Sequence, residues 1–544
     1  MSPAARIGEW LDAVVFDLGR QMRWTFLPPL MVYFAAGFSG LTMIVGTFFV
    51  KEYLDLSAAF LAGLAFWAGL PWALKMPLGH LVDIMWRWKW LLVYLGAGLI
   101  AGSVFIMYLL LTQTDMMTAI MPMHAWYVTS YLLAPSGLVI QDAVADAMSV
   151  EAVPRVDEQG REIDAETSRA LHTTMQTLGR FALISGTVAV AVLNIRMFAG
   201  IEALDAGAKR AVYADIYLAA LAIPLVSVSG VILAGVQKWR ARRGLLGRGL
   251  TEAEADALFE RADEETRPNP WYFIGGAGFV ALSLTIGLSD LAMGQEIVFV
   301  GSLAIVLLLM RQLIAVLPVA QARTLIGTAV LVFIFRAVPR VGDGYTWFSI
   351  DVLGFDQQFL SVLSLIASLL TLAGMVILRP LIASRTMVNI IVILSVAGGV
   401  LSLPNIGLYY GIHNVTAPLT GGVVDARFIA IMDTALESPL GQIAMIPMLA
   451  WIARNAPPDL KATFFAVMAS FTNLALSASS LLTRYLNQIF VVTREVRDPA
   501  SGAVLIPADY SQLGLLILIA SGLGVALPLL AAVLVQRSRF RSVD

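Results

Sequence analysis

The sequence predicts an all-α protein that crosses a membrane many times. Apolar residues make up 58% of the chain and charged residues only 14%, whereas soluble globular proteins contain about 45–50% and about 25% respectively. Apolar stretches of the roughly 20 residues that a helix needs to span a bilayer recur from end to end. The surplus of apolar side chains is therefore expected to face lipid.

The hydrophobic segments predict fourteen spans, arranged as six, then an inserted pair, then six more. The first six lie at about 25–50, 57–77, 90–112, 117–148, 168–194 and 212–237. The other eight lie at about 271–291, 296–318, 324–348, 357–379, 386–410, 427–453, 460–487 and 511–536. The predicted units are an interfacial amphipathic helix, a six-helix bundle, a cytoplasmic linker with a short helix, two extra transmembrane helices and a second six-helix bundle, at residues 1–23, 24–237, 238–270, 271–318 and 319–544.

The distribution of basic residues predicts the orientation. With the N-terminus inside the cell, most of the 36 lysines and arginines fall in cytoplasmic segments, in agreement with the positive-inside rule. Both termini are then cytoplasmic, and no removable signal peptide is expected. We expect an integral protein of the bacterial inner membrane.

Composition excludes several classes of function. The chain has no cysteine, so disulfides, thiolate metal sites and thiol catalysis are excluded. The formal net charge of -2 provides no field that attracts nucleic acid. The histidines show no metal-ligand spacing, so neither a metal nor another cofactor is expected. Paired aspartates also occur in intramembrane aspartic proteases, but the acids here lie four residues apart on one helix and are not matched by the glycine-flanked aspartate of those enzymes, so we do not expect an enzyme.

The predicted turn between the second and third spans carries a charged motif. Gly79 is followed by Asp83 and then by two basic residues. This order resembles the cytoplasmic signature of the major facilitator superfamily, in which glycine allows a tight turn and an acid and bases lock the two halves at their helix ends. Ordinary positive-inside anchoring is the alternative. The candidate gate residues are Lys75, Gly79, Asp83, Arg87, Lys89 and Glu151.

Two pairs of acids lie inside predicted spans. Asp142 and Asp146 on one span, and Asp433 and Glu437 on the corresponding span of the second half, are each one helical turn apart and share a helix face. An acid in the middle of a membrane helix costs about 2.5–3.5 kcal/mol unless it faces water or a partner. We expect these four acids to take up the coupled protons, although the first pair lies near enough to the cytoplasmic end to belong to the gate.

Two arginines inside spans are the expected partners of these acids. Arg180 and Arg336 each lie among apolar neighbours, and a guanidinium suits bidentate binding of an anionic solute. Static buried ion pairs are the alternative. Asn473 belongs to a polar face that either lines a solute path or makes hydrogen bonds between helices. The candidate substrate-binding residues are Arg180, Arg336, Asp433, Gln442 and Asn473.

Several elements together resemble the folate-biopterin transporter family. They are the Lys75–Lys89 turn, Gln141–Ala147, Leu353–Phe355, Gly441–Pro447, and Pro457–Ala466 followed by Asn473–Leu474. The resemblance covers about 24–240 and 324–536. It implies a major facilitator fold, two six-helix halves around a central cavity, and proton-driven transport of folates or pteridines. By matching position it also implies functional roles for Lys75, Asp83, Asp142, Asp146, Arg180 and either Asp433 or Gln442.

The sequence therefore predicts a monomeric secondary transporter, a symporter that works by alternating access in the lipid bilayer. The expected cargo is a folate, a pterin or a related organic anion, taken up with protons. The inserted helix pair and the tryptophan-rich segment Trp86–Trp90 depart from the family pattern. A non-transporting membrane scaffold, or an assembly factor that handles a lipid or pigment on the same fold, is the alternative.

Overall fold

The computed structural model describes most of the chain and shows it to be almost entirely helical there. The described residues are 22–54, 56–153, 163–247, 251–252, 270–287, 289, 291–315, 317–377, 386–438, 461–497 and 504–541.

The first half contains the helices α1 to α10. They are α1 (Leu27–Phe38), α2 (Met43–Tyr53), α3 (Ala58–Gly69), α4 (Lys75–Ile84), α5 (Trp90–Thr112), α6 (Thr114–Ile120), α7 (Met123–Glu151), α8 (Ala165–Met197), α9 (Ala206–Ala220) and α10 (Ala222–Gly247). Short 3-10 turns at Ser39–Thr42 and Leu70–Leu74 join α1 to α2 and α3 to α4. Each of these two pairs therefore forms one continuous membrane-crossing stretch.

The inserted pair and the second half follow. They are α11 (Pro270–Gly287), α12 (Gly294–Ile314), α13 (Val319–Arg336), α14 (Asp343–Asp351), α15 (Gln357–Ile377), α16 (Met387–Leu401), α17 (Leu403–Tyr409), α18 (His413–Leu419), α19 (Ala426–Glu437), α20 (Lys461–Ile489), the antiparallel hairpin of β1 (Val496–Arg497) and β2 (Val504–Ile506), and α21 (Leu513–Arg537).

The predicted membrane architecture is confirmed. Ten helical stretches of the described residues are long and apolar enough to cross a bilayer, and Phe273–Gly287 is a shorter apolar helix. The total of fourteen spans stays a prediction. One predicted span, 324–348, is two helices, because Pro339 has no backbone N–H to donate and Gly342 has a φ of 82°, a conformation that favours glycine.

The apolar core of each half extends across the contact with the other half: one cluster includes Trp347 of the second half, and the other includes Phe66 and Leu70 of the first half. Phe49 and Tyr213 are fully buried in the first half, and Leu331 and Ile391 in the second. The halves meet where α3 packs against α20 and where α8 packs against α15. We call the first of these contacts the α3–α20 seam.

The inserted helices pack beside the α3–α20 seam and contact both halves. A Cβ on Gly276 of α11 would lie 2.9 Å from the Cβ of Pro77 on α4, so glycine allows this close approach. On α12, the amide nitrogen of Gln295 donates to the carbonyl oxygen of Gly63 at 3.0 Å. The amide oxygen of the same side chain accepts from Arg484 Nη1 of α20 at 2.9 Å. Gln295 therefore bonds to the first and the second half at once.

The bundle has two ends, the Lys75 end and the hairpin end. The Lys75 end carries residues 84–90, 314–315 and 317–319, and the hairpin end carries residues 54, 56–57, 491–497 and 504–512. At the Lys75 end, α10 continues to Gly247, beyond the predicted boundary at 237. Apart from their margins, the predicted interfacial helix at 1–23 and the short helix of the linker lie outside the described residues.

Candidate functional site

A charged cluster lies inside the first half near the Lys75 end. The ammonium nitrogen of Lys75 on α4 lies 2.6 Å from Asp142 Oδ2 and 2.8 Å from Asp146 Oδ2, both on α7. Asp146 Oδ1 also accepts a hydrogen bond from the hydroxyl of Tyr33 on α1, at 2.7 Å. Three helices of the first half thus converge on four polar side chains, which we call the Lys75 cluster.

Local sequence explains how the Lys75 cluster forms. Asp142 and Asp146 are one turn apart and project from the same face of α7. Lys75 begins α4, directly after the 3-10 turn that contains Pro71. Because an ammonium group has three donors, it can serve both carboxylates. Two anions and one cation leave an excess of negative charge, which the Tyr33 hydroxyl stabilises as a neutral donor.

Neighbouring residues fix the geometry of the Lys75 cluster. A Cβ on Gly179 of α8 would lie 2.9 Å from a ring carbon of Tyr33, so the ring lies directly against the glycine backbone. The hydroxyl of Ser149 donates to the carbonyl oxygen of Asp146 at 2.7 Å. It accepts from Gln176 Nε2 of α8 at 3.0 Å. Helix α8 therefore supports both the tyrosine and the acid-bearing helix.

The cation that pairs with Asp142 and Asp146 differs from the one that the sequence predicts. Arg180 is the expected partner, but its side chain is exposed on α8, and no ion pair joins it to a described residue. The two carboxylates face α4 instead, from which Lys75 reaches both. The structure therefore joins a predicted gate residue with two predicted proton-coupling residues.

The other charged pair predicted for the gate also lies within the first half. Lys89 Nζ lies 2.6 Å from Glu151 Oε2 and 3.9 Å from the ring centroid of Trp86. Glu151 is the last residue of α7, where the helix dipole disfavours an anion, so the buried ammonium of Lys89 offsets that cost. Lys89 and Glu151 thus join neighbouring helices of one half, and the predicted lock between the two halves is not formed by this pair.

Gly79 does not lie in a turn. It is inside α4, and a Cβ added there would meet no atom within 4 Å. The tight-turn explanation for this glycine is wrong, because the helix continues to Ile84. Arg87 is exposed in the 3-10 turn that follows, and the side chain of Asp83 lies outside the described residues.

A second polar cluster lies in the second half, toward the hairpin end. Asp433 Oδ2 accepts from Asn405 Nδ2 at 2.9 Å, and Asn405 Oδ1 accepts from the hydroxyl of Tyr345 at 2.6 Å. Asp433 is 6% exposed, and its Oδ1 is buried without a hydrogen-bond partner among the described residues. Each half thus places a tyrosine near an acid.

The remaining predicted site residues make no described contact with either cluster. Glu437 is exposed on α19. Arg336 ends α13, and its Nε is buried with no hydrogen-bond partner in the described part of the chain. Asn473 Nδ2 donates to the carbonyl oxygen of Trp72 at 3.2 Å across the α3–α20 seam, which is the interhelical role that the sequence left open. Gln442 lies outside the described residues.

The two acid clusters lie near opposite ends of the bundle. The Lys75 cluster is near the C-terminal end of α7, whereas Asp433 lies in the third turn of α19 and is bonded to Asn405, toward the hairpin end. Each cluster is closed within its own half. Among the described residues, no hydrogen bond or ion pair joins the two clusters.

Sequence reasoning missed an ion pair that joins the halves at the hairpin end. Lys51 Nζ, at the end of α2, lies 2.6 Å from Asp351 Oδ1, at the end of α14. Asp351 Oδ2 accepts from the hydroxyl of Tyr510 at 2.5 Å. Burial, together with this hydrogen bond, raises the pKa of Tyr510 well above its ordinary value, so the hydroxyl keeps its proton and stays a donor at neutral pH.

A second group of contacts between the halves surrounds Arg494, which precedes the hairpin. Its guanidinium donates from Nη1 to the carbonyl oxygen of Val50 at 2.7 Å and from Nη2 to that of Leu54. It also lies 5.1 Å from the ring centroid of Trp347 and is 3% exposed. In the sequence these residues appear only as single charges at the ends of apolar segments, and nothing in their spacing pairs them.

A cavity of about 380 Å³ adjoins these contacts. The first half contributes the start of α3, including Ala58, and the second half contributes Trp347, Asn487 and Arg494. The hairpin residue Ile506 also borders it. The halves therefore touch at the hairpin end without filling the space between them.

Comparisons with known proteins agree with this architecture. A model of the BT1 family matches residues 36–543. The curated protein named folate-biopterin transporter from Synechocystis sp. is 22% identical over 480 residues, which cover 86% of this chain and 76% of the relative.

Solved structures of transporters share the fold. A POT family transporter in complex with 5-aminolevulinic acid has a TM-score of 0.61 at 12% identity, over 95% of this chain and 96% of that chain. The POT family transporter PepTSo has a TM-score of 0.56 at 13% identity, over 96% and 99%. The nucleoside transporter NupG has a TM-score of 0.53 at 12% identity, over 93% and 98%. At such identities the likeness shows the fold alone, which is the expected major facilitator fold.

Proposed function

Because the chain belongs to the BT1 family and is a membrane transporter, we propose that it carries folates, pteridines or related organic anions by proton-coupled alternating access. The name of the curated relative supports the cargo. The arrangement of two carboxylates on one ammonium in the Lys75 cluster carries the proton-coupling part of the proposal.

The Lys75 cluster is suited to proton uptake because it holds one more anion than cation. Either Asp142 or Asp146 can accept a proton while the other keeps the ion pair with Lys75. Protonation of Asp146 turns an acceptor of two charge-assisted bonds into a neutral carboxyl group. The contacts among α1, α4 and α7 then weaken, which links proton uptake to helix packing.

The second half supplies groups suited to an anionic, hydrogen-bonding solute. Arg336 has a buried Nε with an unused donor among its described contacts, and a guanidinium binds carboxylates in a bidentate manner. Asp433 Oδ1 is a buried acceptor without a described partner. We propose that Arg336 binds the pterin or glutamate portion of the cargo, and that Asp433 accepts either an N–H group or the coupled proton.

Alternating access requires that the halves separate at one end while they close at the other. The ion pair of Lys51 and Asp351 and the hydrogen bonds of Arg494 join the halves at the hairpin end. We propose that these contacts form the gate at that end, and that they break when the cargo enters or leaves there.

Uptake of labelled folate into proteoliposomes tests the coupling. Each acid is replaced by its amide in the variants Asp142→Asn, Asp146→Asn, Asp433→Asn and Glu437→Gln, and uptake is measured with and without an inward proton gradient. We expect at least one variant to transport without a response to the gradient. The matched control is Glu202→Gln, an exposed acid paired with Lys209. An unchanged response in all four variants would remove the coupling claim.

The cargo is tested separately by thermal stability of the purified protein with folates, pterins and other organic anions. A ligand that binds only the folded protein raises its melting temperature. Absence of stabilisation and of flux with every compound would favour the scaffold alternative. This screen needs no proton gradient. It can therefore refute the proposed cargo without bearing on the proposed proton coupling.

We also propose that the Lys75 end faces the cytoplasm of a bacterium, with both termini inside and the protein in the inner membrane as a monomer. The chain has no cysteine, so single introduced cysteines report sidedness without background. In intact spheroplasts an impermeant maleimide should label Val491→Cys at the hairpin end and spare Arg87→Cys at the Lys75 end. The reverse pattern would invert the topology.

A further inference from the structure

A groove on the surface of the bundle separates the inserted helix α12 from the second half. Its volume is about 300 Å³, and its walls and floor are formed by Leu307, Met310, Ile314, Ile326, Val330 and Phe471. Leu307 is 46% exposed and Val330 is 38% exposed. The groove therefore opens outward, where a membrane transporter meets its lipids, and not toward the space between the halves.

Two arginines lie at the Lys75 end of this groove. Arg311 borders the groove and belongs to the last turn of α12. Arg323 lies near the start of α13, on the same helix face as Ile326 and Val330, because residues three and seven apart lie on one side of a helix. Both arginines are exposed, and neither forms an ion pair with a residue that the structure describes. The groove thus combines apolar walls with two exposed guanidinium groups at one end.

We propose that the groove binds an anionic phospholipid from the bilayer leaflet at the Lys75 end. One acyl chain lies between α12 and α13 on Phe471, and the headgroup phosphate is held by Arg311 and Arg323. Helix ends lie at the depth of the headgroups, where guanidinium groups reach the interface. This assignment does not rest on the cargo or on proton coupling.

Charge makes the site selective, since apolar walls alone do not distinguish one lipid from another. A lipid tail gains little by leaving other tails for an apolar groove. Each arginine near the headgroups favours an anionic lipid by about fivefold. A free phosphate ion has no acyl chain to place against the apolar walls. The groove therefore favours a phosphate that belongs to a lipid.

Fluorescence quenching in vesicles tests the site in the full chain. A bimane label on Val330→Cys is compared with one on Leu308→Cys, which is exposed on α12 but does not border the groove. The vesicles are phosphatidylcholine with a fixed fraction of brominated lipid, either phosphatidylglycerol or phosphatidylcholine. We expect brominated phosphatidylglycerol to quench the label at 330 more strongly than brominated phosphatidylcholine, and the two lipids to quench equally at 308.

The arginines are tested by adding Arg311→Gln and Arg323→Gln to the labelled protein. The preference for phosphatidylglycerol at 330 should then fall by about tenfold or more. The control Arg537→Gln removes an exposed arginine from the last turn of α21 and should leave the preference intact. Equal quenching by both lipids at 330, or a preference that survives loss of both arginines, would overturn the site. A further measurement compares the stability of the protein in detergent with inorganic phosphate and with phosphatidylglycerol. Equal stabilisation by the two would overturn the assignment of a lipid as the ligand.

Discussion

Arg494 of the second half donates a hydrogen bond to the carbonyl oxygen of Val50 in the last turn of α2, which belongs to the first half. The same carbonyl oxygen accepts the backbone N–H of the capping residue Leu54, and Arg494 also donates to the carbonyl oxygen of Leu54. The helix dipole favours a cation at this end. The guanidinium is almost fully buried. The end of a helix in one half is thus completed by a side chain of the other half.

Removal of this guanidinium should open the hairpin end. Ala58 is 2% exposed and borders the cavity there, so Ala58→Cys should react slowly with an impermeant maleimide in the otherwise unchanged protein. In the Arg494→Gln background we expect labelling about tenfold faster, because the neutral side chain offers fewer and weaker bonds to the α2 carbonyls. Val491 is 52% exposed, so Val491→Cys should react rapidly in both backgrounds. Equal rates at position 58 would contradict the gate.

Lys75→Met should abolish uptake and destabilise the first half. Without the ammonium, Asp142 and Asp146 face each other with no cation between them, and we expect a loss of about 2 kcal/mol in the free energy of unfolding. Lys75→Arg keeps the charge and should retain most of the stability. Thermal unfolding in detergent and uptake in proteoliposomes measure the two effects. The control Lys209→Met removes the half-buried partner of the exposed acid Glu202 and should change stability by less than about 0.5 kcal/mol.

Tyr33 is predicted to act through its hydroxyl and its position. Tyr33→Phe removes the bond to Asp146 and should cost about 1 kcal/mol. Gly179→Ala should be more harmful, because the added methyl would lie 2.9 Å from the Tyr33 ring and displace it. Gly98→Ala is the matched control, since a Cβ there meets nothing within 4 Å. The melting temperature should be highest for Gly98→Ala, lower for Tyr33→Phe and lowest for Gly179→Ala. A Gly179→Ala protein as stable as Gly98→Ala would refute the packing argument.

Loss of the Gln295 side chain should loosen the inserted pair. Gln295→Leu leaves both the Gly63 carbonyl and Arg484 without this partner, and we expect a loss of about 1–2 kcal/mol in the free energy of unfolding. Gln321→Leu changes an exposed glutamine on α13 and serves as the control. Thermal unfolding in detergent compares the two variants. Equal melting temperatures would mean that the amide contributes nothing to stability.

The fold could be predicted from the sequence because lipid imposes simple requirements on a chain. Long apolar stretches must be helices, and the distance between Asp142 and Asp146 fixes their common helix face. The predicted inserted pair is present as α11 and α12. The break inside the predicted span 324–348 was missed, although Pro339 and Gly342 lie in a polar stretch that also contains Arg340 and Asp343.

The site was harder to predict because sequence does not show which charges meet. Lys75 and Arg180 are both cations near the same acids, and only the direction of helix α4 selects the lysine. The bonds of Arg494 to Val50 and Leu54 use backbone carbonyls, which carry no sequence signal. The partners of isolated charges could therefore be identified only from the structure. The common helix face of two acids one turn apart followed from the sequence alone.

The double attachment of Gln295 constrains how this molecule can move. Its amide group holds a carbonyl of α3 and a guanidinium of α20 at hydrogen-bond distance. If the halves rock as rigid bodies while this amide stays bound, Gly63 and Arg484 must travel together. The axis of that rotation would then lie close to α12, so the inserted pair would act as the hinge between the two halves.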